Sequence, residues 1–161
     1  MPLSVGVGDE LPEVAGPTQA GTVLSSREFA GRWLVLYFYP RDNTPGCTRE
    51  AQAFNEHLEQ LRSRNAEVVG VSVDSVASHR RFADSCGLRF PLISDADRTI
   101  SSRLGVLNER GSARRTTLIV DPVGRVARIF ENVKVDGHVE EVLRALVELQ
   151  AAQGGTGCGC T

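Results

Sequence analysis

Apolar runs alternate with amphipathic stretches along this chain. Residues 33–39, 67–73, 116–121 and 126–131 are rich in β-branched and aromatic side chains and read as strands. The clearest helix comes last, where Val139, Val142, Leu143, Leu146 and Val147 recur at the spacing of one helical face. A second helix is predicted over residues 45–62, with Ala51, Phe54, Leu58 and Leu61 on one stripe. A third covers 76–86 and stops at Gly87, a glycine suited to a C-terminal cap, and a short one covers 97–104. "DPVGR" at 121–125 is a turn signal that joins the last two strands as a hairpin. A parallel β-α-β unit followed by a hairpin and a closing helix predicts an α/β fold, a three-layer α/β/α sandwich.

The length of 161 residues suits one domain, expected over residues 1–150, before the composition shifts to a Gly- and Cys-rich tail at 151–161 expected to be flexible. Lys and Arg number 18 against 20 Asp and Glu, a formal net charge of −2 without a basic tract, so no nucleic-acid partner is expected. The longest apolar run, "WLVLYFY", is far too short to span a bilayer, and the first ten residues do not resemble a secretory signal. These features predict a soluble, cytoplasmic protein. Four cysteines, Cys47, Cys86, Cys158 and Cys160, then read as reactive thiols rather than as a disulfide framework.

Cys47 has the most informative surroundings. In "YFYPRDNTPGCTRE" (37–50), Thr44 suits a helix N-cap, Pro45 the first helical position, and Cys47 falls at the third. The first turn of a helix carries unpaired amides and the positive end of the dipole, which favour a thiolate. Cys47 also continues the stripe of 51, 54, 58 and 61, so its sulfur is expected in a sheltered pocket. Lowering a thiol pKa from about 8.5 to roughly 6 takes ~3.4 kcal/mol, whereas a helix terminus supplies up to ~2 kcal/mol. A cation is therefore required. His57, ten residues on, is rotated roughly 280° around the helix. Neither His79 nor His138 sits in a pattern that marks a Cys-His pair.

The segment "FYPRDNTPGCTRE" resembles the active-site signature of the peroxiredoxins, Pro-x-x-x-Thr-x-x-Cys, with Pro40, Thr44 and Cys47 at the matching positions. The Thr-Pro-Gly-Cys-Thr form followed by Glu50 resembles the Q-type (bacterioferritin comigratory protein) branch. Residues 72–95 and 115–126 are similar to later family blocks, so the resemblance spans roughly residues 8–149. It implies a thioredoxin-like fold and reduction of hydrogen peroxide or organic hydroperoxides, with no cofactor and no metal. By this resemblance Cys47 is the peroxidatic cysteine that becomes a sulfenic acid, Thr44 contacts thiolate and peroxide, and Pro40 shields the site. Arg115 becomes the missing cation and Glu50 the carboxylate that fixes it. Taken alone, Arg115 reads as a surface residue at a strand start and Glu50 as an ordinary first-turn carboxylate. Arg114 faces the opposite way from Arg115, and only one of the two can point at the pocket.

A sulfenic acid is usually resolved by a second thiol. Many Q-type members carry it five positions after the first cysteine, where this chain has Gln52. The expected resolving residue is Cys86, with Cys158, Cys160 or an external thiol as alternatives. The family implies thioredoxin or glutaredoxin as reductant and a monomer or weak dimer. The competing function is thiol or soft-metal (copper) binding on the same fold. The copper-delivery pattern Cys-x-x-x-Cys fails because residue 51 is Ala, and Asp95 and Asp97 read as turn and helix cap rather than metal ligands.

Overall fold

The computed structural model describes residues 3–157. Its centre is a five-stranded sheet built on the apolar runs. β3 (Trp33–Phe38) lies in the middle, parallel to β4 (Ala66–Ser72), which is parallel to β5 (Leu92–Ser94). On the other side β6 (Thr116–Val120) pairs antiparallel with β3, and β7 (Val126–Glu131) antiparallel with β6, giving the order β5-β4-β3-β6-β7. The hairpin turn between β6 and β7 is fixed by Asp121, whose carboxylate accepts from the amides of Val123 and Arg125.

Every residue of β3 is buried, because both faces of the sheet are covered. Odd positions of β3, Trp33, Val35 and Tyr37, enter one core with α1 (Pro45–Glu56), α2 (Leu58–Ser63), α3 (Val76–Cys86) and α5 (His138–Gly157). Even positions, Leu34, Leu36 and Phe38, enter a second core with α4 (Thr99–Leu104). That second face is completed by the N-terminal segment, including a hairpin of β1 (Ala15–Pro17) with β2 (Val23–Ser25) and a 3-10 turn, Ser26–Phe29. The architecture is the α/β/α sandwich, with its layers unequal. Among the described residues no helix is long and apolar enough to cross a membrane.

Several boundaries differ from those the pattern predicts. The helix expected over 45–62 breaks at His57, where the backbone adopts φ −99° and ψ 9°. There the ring Nδ1 lies 2.9 Å from the Ala53 carbonyl that the His57 amide also uses, so the side chain competes for the helical acceptor. Helix α4 starts at Thr99 rather than 97. Arg98 takes a left-handed conformation, and the Asp95 carboxylate caps the amides of Ile100 and Ser101. Helix α5 continues past the expected boundary at Gln150, through Ala151, Ala152 and Gln153, all good helix formers. β1, β2 and β5, at three residues each, are too short to show a period.

Gly70, inside β4, marks a place of close packing between neighbouring strands. A Cβ there would lie 2.9 Å from Leu92 Cδ2 and 3.0 Å from two ring atoms of Tyr37. Gly70→Ala is therefore expected to destabilise the fold by about 1–3 kcal/mol through overpacking, read as a lower urea midpoint at unchanged m value.

Candidate active site

The register of β3 and β6 builds the site. Phe38 pairs with Thr116, so Arg115 stands just before β6, beside the point where β3 ends and the chain turns towards α1. Its carbonyl is held by the Val133 amide at 3.2 Å. From there the guanidinium reaches the first turns of α1 and forks. Nη2 donates to Cys47 Sγ at 3.2 Å, and Nη1 donates to Glu50 Oε1 at 2.7 Å. Cys47 and Glu50 are each 1 % exposed, whereas the Arg115 side chain keeps 21 % of its surface in contact with solvent. The sulfur thus lies on the core face of α1, at its positive end, with a permanent cation against it. A guanidinium binds a thiolate better than a thiol, and arginine is charged at every accessible pH.

Arg114 turns the other way, as alternation requires, and donates to the carbonyls of Gly105 and Leu107 at 2.6 and 3.0 Å. The three histidines are engaged elsewhere: His57 at the break after α1, His79 against Asp42, and His138 with Thr117 and Glu141. Burial lowers the His138 pKa, with the nearby Glu141 opposing.

Thr44 occupies the N-cap position in an extended conformation, but its side chain makes no capping hydrogen bond. Its hydroxyl instead donates to the Arg41 carbonyl at 3.0 Å, within the short left-handed turn that includes Asn43. This corrects the simple capping role read from the sequence. Pro40 is half-buried at the end of β3. The structure therefore brings Cys47, Glu50 and Arg115 into direct contact and places Thr44 and Pro40 on the loop that leads into them.

Cys86 lies apart from this group. It is partly buried at the last position of α3, against the same core as Cys47, and both thiols are free. The following residue, Gly87, has its carbonyl tied to the Asn55 side chain at 2.9 Å. Asn55 lies about 12 Å along α1 from Cys47 at ~1.5 Å per residue. A disulfide needs Cα atoms within roughly 7 Å, so joining the two requires local unwinding. Cys158 and Cys160 lie outside the described residues.

Sequence reasoning did not single out Gly46. A Cβ at this position would lie 2.7 Å from Arg115 Nη2. The signal was a glycine in the first turn of a helix, where almost any other residue would be a better helix former. Also missed was a polar cluster next to the site, formed by Tyr39, Asp42, Asp74, Ser78 and His79. Asp42, Asp74 and His79 are close enough together to hold a cation. Asp42 accepts from Tyr39 and Ser78 and lies 2.8 Å from His79 Nδ1, and Asp74 Oδ2 accepts from Ser72 and the Asp42 amide, so these groups already hold one another.

Glu50 is an uncommon carboxylate. Burial pushes its pKa from 4.5 up to about 7, against the opposing pull of Arg115. Its second oxygen, Oε2, finds no donor among the described residues. The folded state holds the Glu50 proton up to about pH 7, whereas the unfolded chain releases it near 4.5. The associated stability is fully present below pH 4.5 and is lost as pH rises through about 7. Urea unfolding from pH 4.5 to 7.5 is expected to show declining stability in the native protein and a flatter profile in Glu50→Gln. Gly46→Ala makes a separate prediction. Alanine improves local helix propensity by up to ~1 kcal/mol, so stability is held or raised. The displaced guanidinium is expected to slow oxidation of Cys47 at least tenfold, measured by stopped-flow with hydrogen peroxide.

The chain is similar to known proteins along most of its length. The AhpC/TSA family model matches residues 7–129. A putative peroxiredoxin bcp from Coxiella burnetii is 38 % identical over 151 residues, covering 89 % of this chain and all of that protein. Peroxiredoxin Bcp from Xanthomonas campestris is 41 % identical over 133 residues, 78 % of this chain and 83 % of its own. Among solved structures, a cysteine-to-serine mutant of Xylella fastidiosa PrxQ superposes with a TM-score of 0.85 at 38 % identity, covering 89 % of this chain and 96 % of that one. The Xanthomonas campestris bacterioferritin comigratory protein, solved in a study of its alkyl peroxide reduction activity, gives 0.80 at 38 % identity, covering 84 % and 90 %. With its thioredoxin-like fold and a cysteine, a glutamate and an arginine meeting at the start of α1, this chain belongs to the peroxiredoxin family, AhpC/TSA type, and is a thiol peroxidase.

Proposed function

We propose that Cys47 is the peroxidatic nucleophile and that it reduces hydrogen peroxide and organic hydroperoxides. The observation that carries this reading is the Arg115 fork, which places one guanidinium between Cys47 Sγ and Glu50. The thiolate attacks the terminal oxygen of the peroxide. The S–O bond forms as the O–O bond breaks, and the departing oxygen takes a proton and leaves as water or an alcohol. Cys47 becomes a sulfenic acid. Arg115 is placed to donate to both the sulfur and the transferring oxygen as negative charge moves between them. Thr44 and Pro40, on the entry loop, orient the peroxide and limit water. The alkyl peroxide reduction studied in the Xanthomonas campestris relative supports organic hydroperoxides as substrates.

Cys86 then attacks the sulfenic sulfur, releasing water and forming a Cys47–Cys86 disulfide, which a thioredoxin-like dithiol reduces. The placement of both thiols against one core supports this pairing, and the Asn55–Gly87 contact identifies what has to open. Free thiols are suited to a reducing compartment, which supports action in the cytoplasm, as a monomer or weak dimer.

Mass spectrometry of the reduced protein after one equivalent of hydrogen peroxide tests the reading, with disulfides mapped by digestion. The expected product is a Cys47–Cys86 peptide, and in Cys86→Ser a trappable sulfenic acid at Cys47. Arg115→Ala is expected to slow the first step by about 10²–10³, the usual loss for one donor at a developing charge. A disulfide from Cys47 to Cys158 or Cys160 would move the resolving role to the C-terminus. A Cys47 that stays reduced while the other thiols oxidise would overturn the assignment.

A further inference from the structure

His79 is completely buried, one turn into α3, and each of its ring nitrogens faces an acceptor. Nε2 lies 3.0 Å from the Ile93 carbonyl, which can only accept, so Nε2 carries a proton. Nδ1 lies 2.8 Å from Asp42 Oδ2. The Asp42 carboxylate also accepts from the Ser78 hydroxyl at 2.8 Å and, at Oδ1, from Tyr39 at 2.7 Å. Two hydroxyl donors on one carboxyl favour its ionised form, and that form places the proton shared with His79 on Nδ1.

The ends of this contact matter as much as its charge. Asp42 belongs to the loop that runs from Pro40 to Thr44 and delivers Cys47 to the start of α1. Its own amide donates to Asp74 Oδ2 at 2.8 Å, and Asp74 is fastened to Ser72 at the end of β4. His79 belongs to α3, whose last residue is Cys86. A buried hydrogen bond therefore joins the segment bearing one thiol to the helix bearing the other, near the end of α3 opposite the Asn55–Gly87 contact.

We propose that His79 is held as an imidazolium against Asp42 and is the pin that keeps the Cys47 loop and α3 closed on each other. It is a positioning residue: it touches neither peroxide nor sulfur, and it favours attack by Cys47 while restraining formation of the Cys47–Cys86 bond. The consequence for the reaction rests on the function proposed above, whereas the pin itself does not. Removing only the histidine leaves a buried carboxylate without its counter-ion, which is worse than removing both charges.

Two measurements on the reduced full-length protein test the pin without any turnover. In ¹⁵N NMR at pH 7, both His79 ring nitrogens are expected to be protonated. A single protonated nitrogen, with the proton on Asp42, would overturn the charged pair. In hydrogen exchange, His79→Gln is expected to raise amide exchange at least tenfold in both residues 40–47 and the first turns of α3, with β6 and β7 unchanged. Asp42→Asn combined with His79→Gln is expected to restore part of that protection. Faster exchange in only one segment, or equally throughout, would overturn the pin. Turnover then separates the two proposals. With hydrogen peroxide, His79→Gln is expected to slow sulfenic acid formation and speed disulfide formation, each at least threefold. If the native protein forms no Cys47–Cys86 disulfide, the resolving assignment fails while the NMR and exchange results stand.

Discussion

The Arg115 guanidinium is the contact on which the rest of this site depends. Arginine is the only side chain that can place a permanent charge against the Cys47 sulfur and a second, directed hydrogen bond on Glu50 at the same time. A lysine would supply a charge but not the fork. The fold holds this fork by its ends. The β3–β6 register sets where Arg115 leaves the sheet, and α1 sets where Cys47 and Glu50 meet it, three residues apart on one helical face. Gly46 leaves the gap through which the guanidinium passes.

That arrangement carries a built-in competition. Glu50 orients Arg115, but when ionised it also draws on the same positive charge that lies against the Cys47 sulfur. Its burial resolves the conflict, because a carboxyl held up to about pH 7 keeps its geometric hold while giving up part of its charge near neutrality. A solvated glutamate in the same place would neutralise Arg115 more fully. The Glu50 Oε2, without a donor among the described residues, is a liability for stability and consistent with a carboxyl tuned rather than optimised.

Much of this was legible in the sequence wherever a period or a spacing carried the information. The strands at 33–39 and 116–121 announced themselves because both faces of the sheet are buried, making one run continuously apolar and the other rich in β-branched residues. Cys47 stood out because Pro45, its helix position and its core stripe all point to one place. Arg115 did not stand out on its own. Its role arises from a pairing with β3 nearly 80 residues earlier in the chain, which no local pattern records, and only the family resemblance directed attention to it. The break at His57 was hidden for a similar reason: a ring hydrogen bond to Ala53, not a helix-breaking residue, ends α1.

His79 is the instructive omission. On the sequence it sat in no pattern that marked a Cys-His pair, and it lies fully buried in the core. What makes it more than filler is that its ring meets Asp42 from the Cys47 loop and the Ile93 carbonyl from β5, while Tyr39 and Ser78 donate to the same Asp42 carboxylate. A buried charge is tolerated only when the whole set is in place, so loss of any one contact weakens the others. Such a set opens as a unit or not at all. The proposed cycle, in which Cys47 is held still for attack and then released towards Cys86, needs that kind of two-position behaviour.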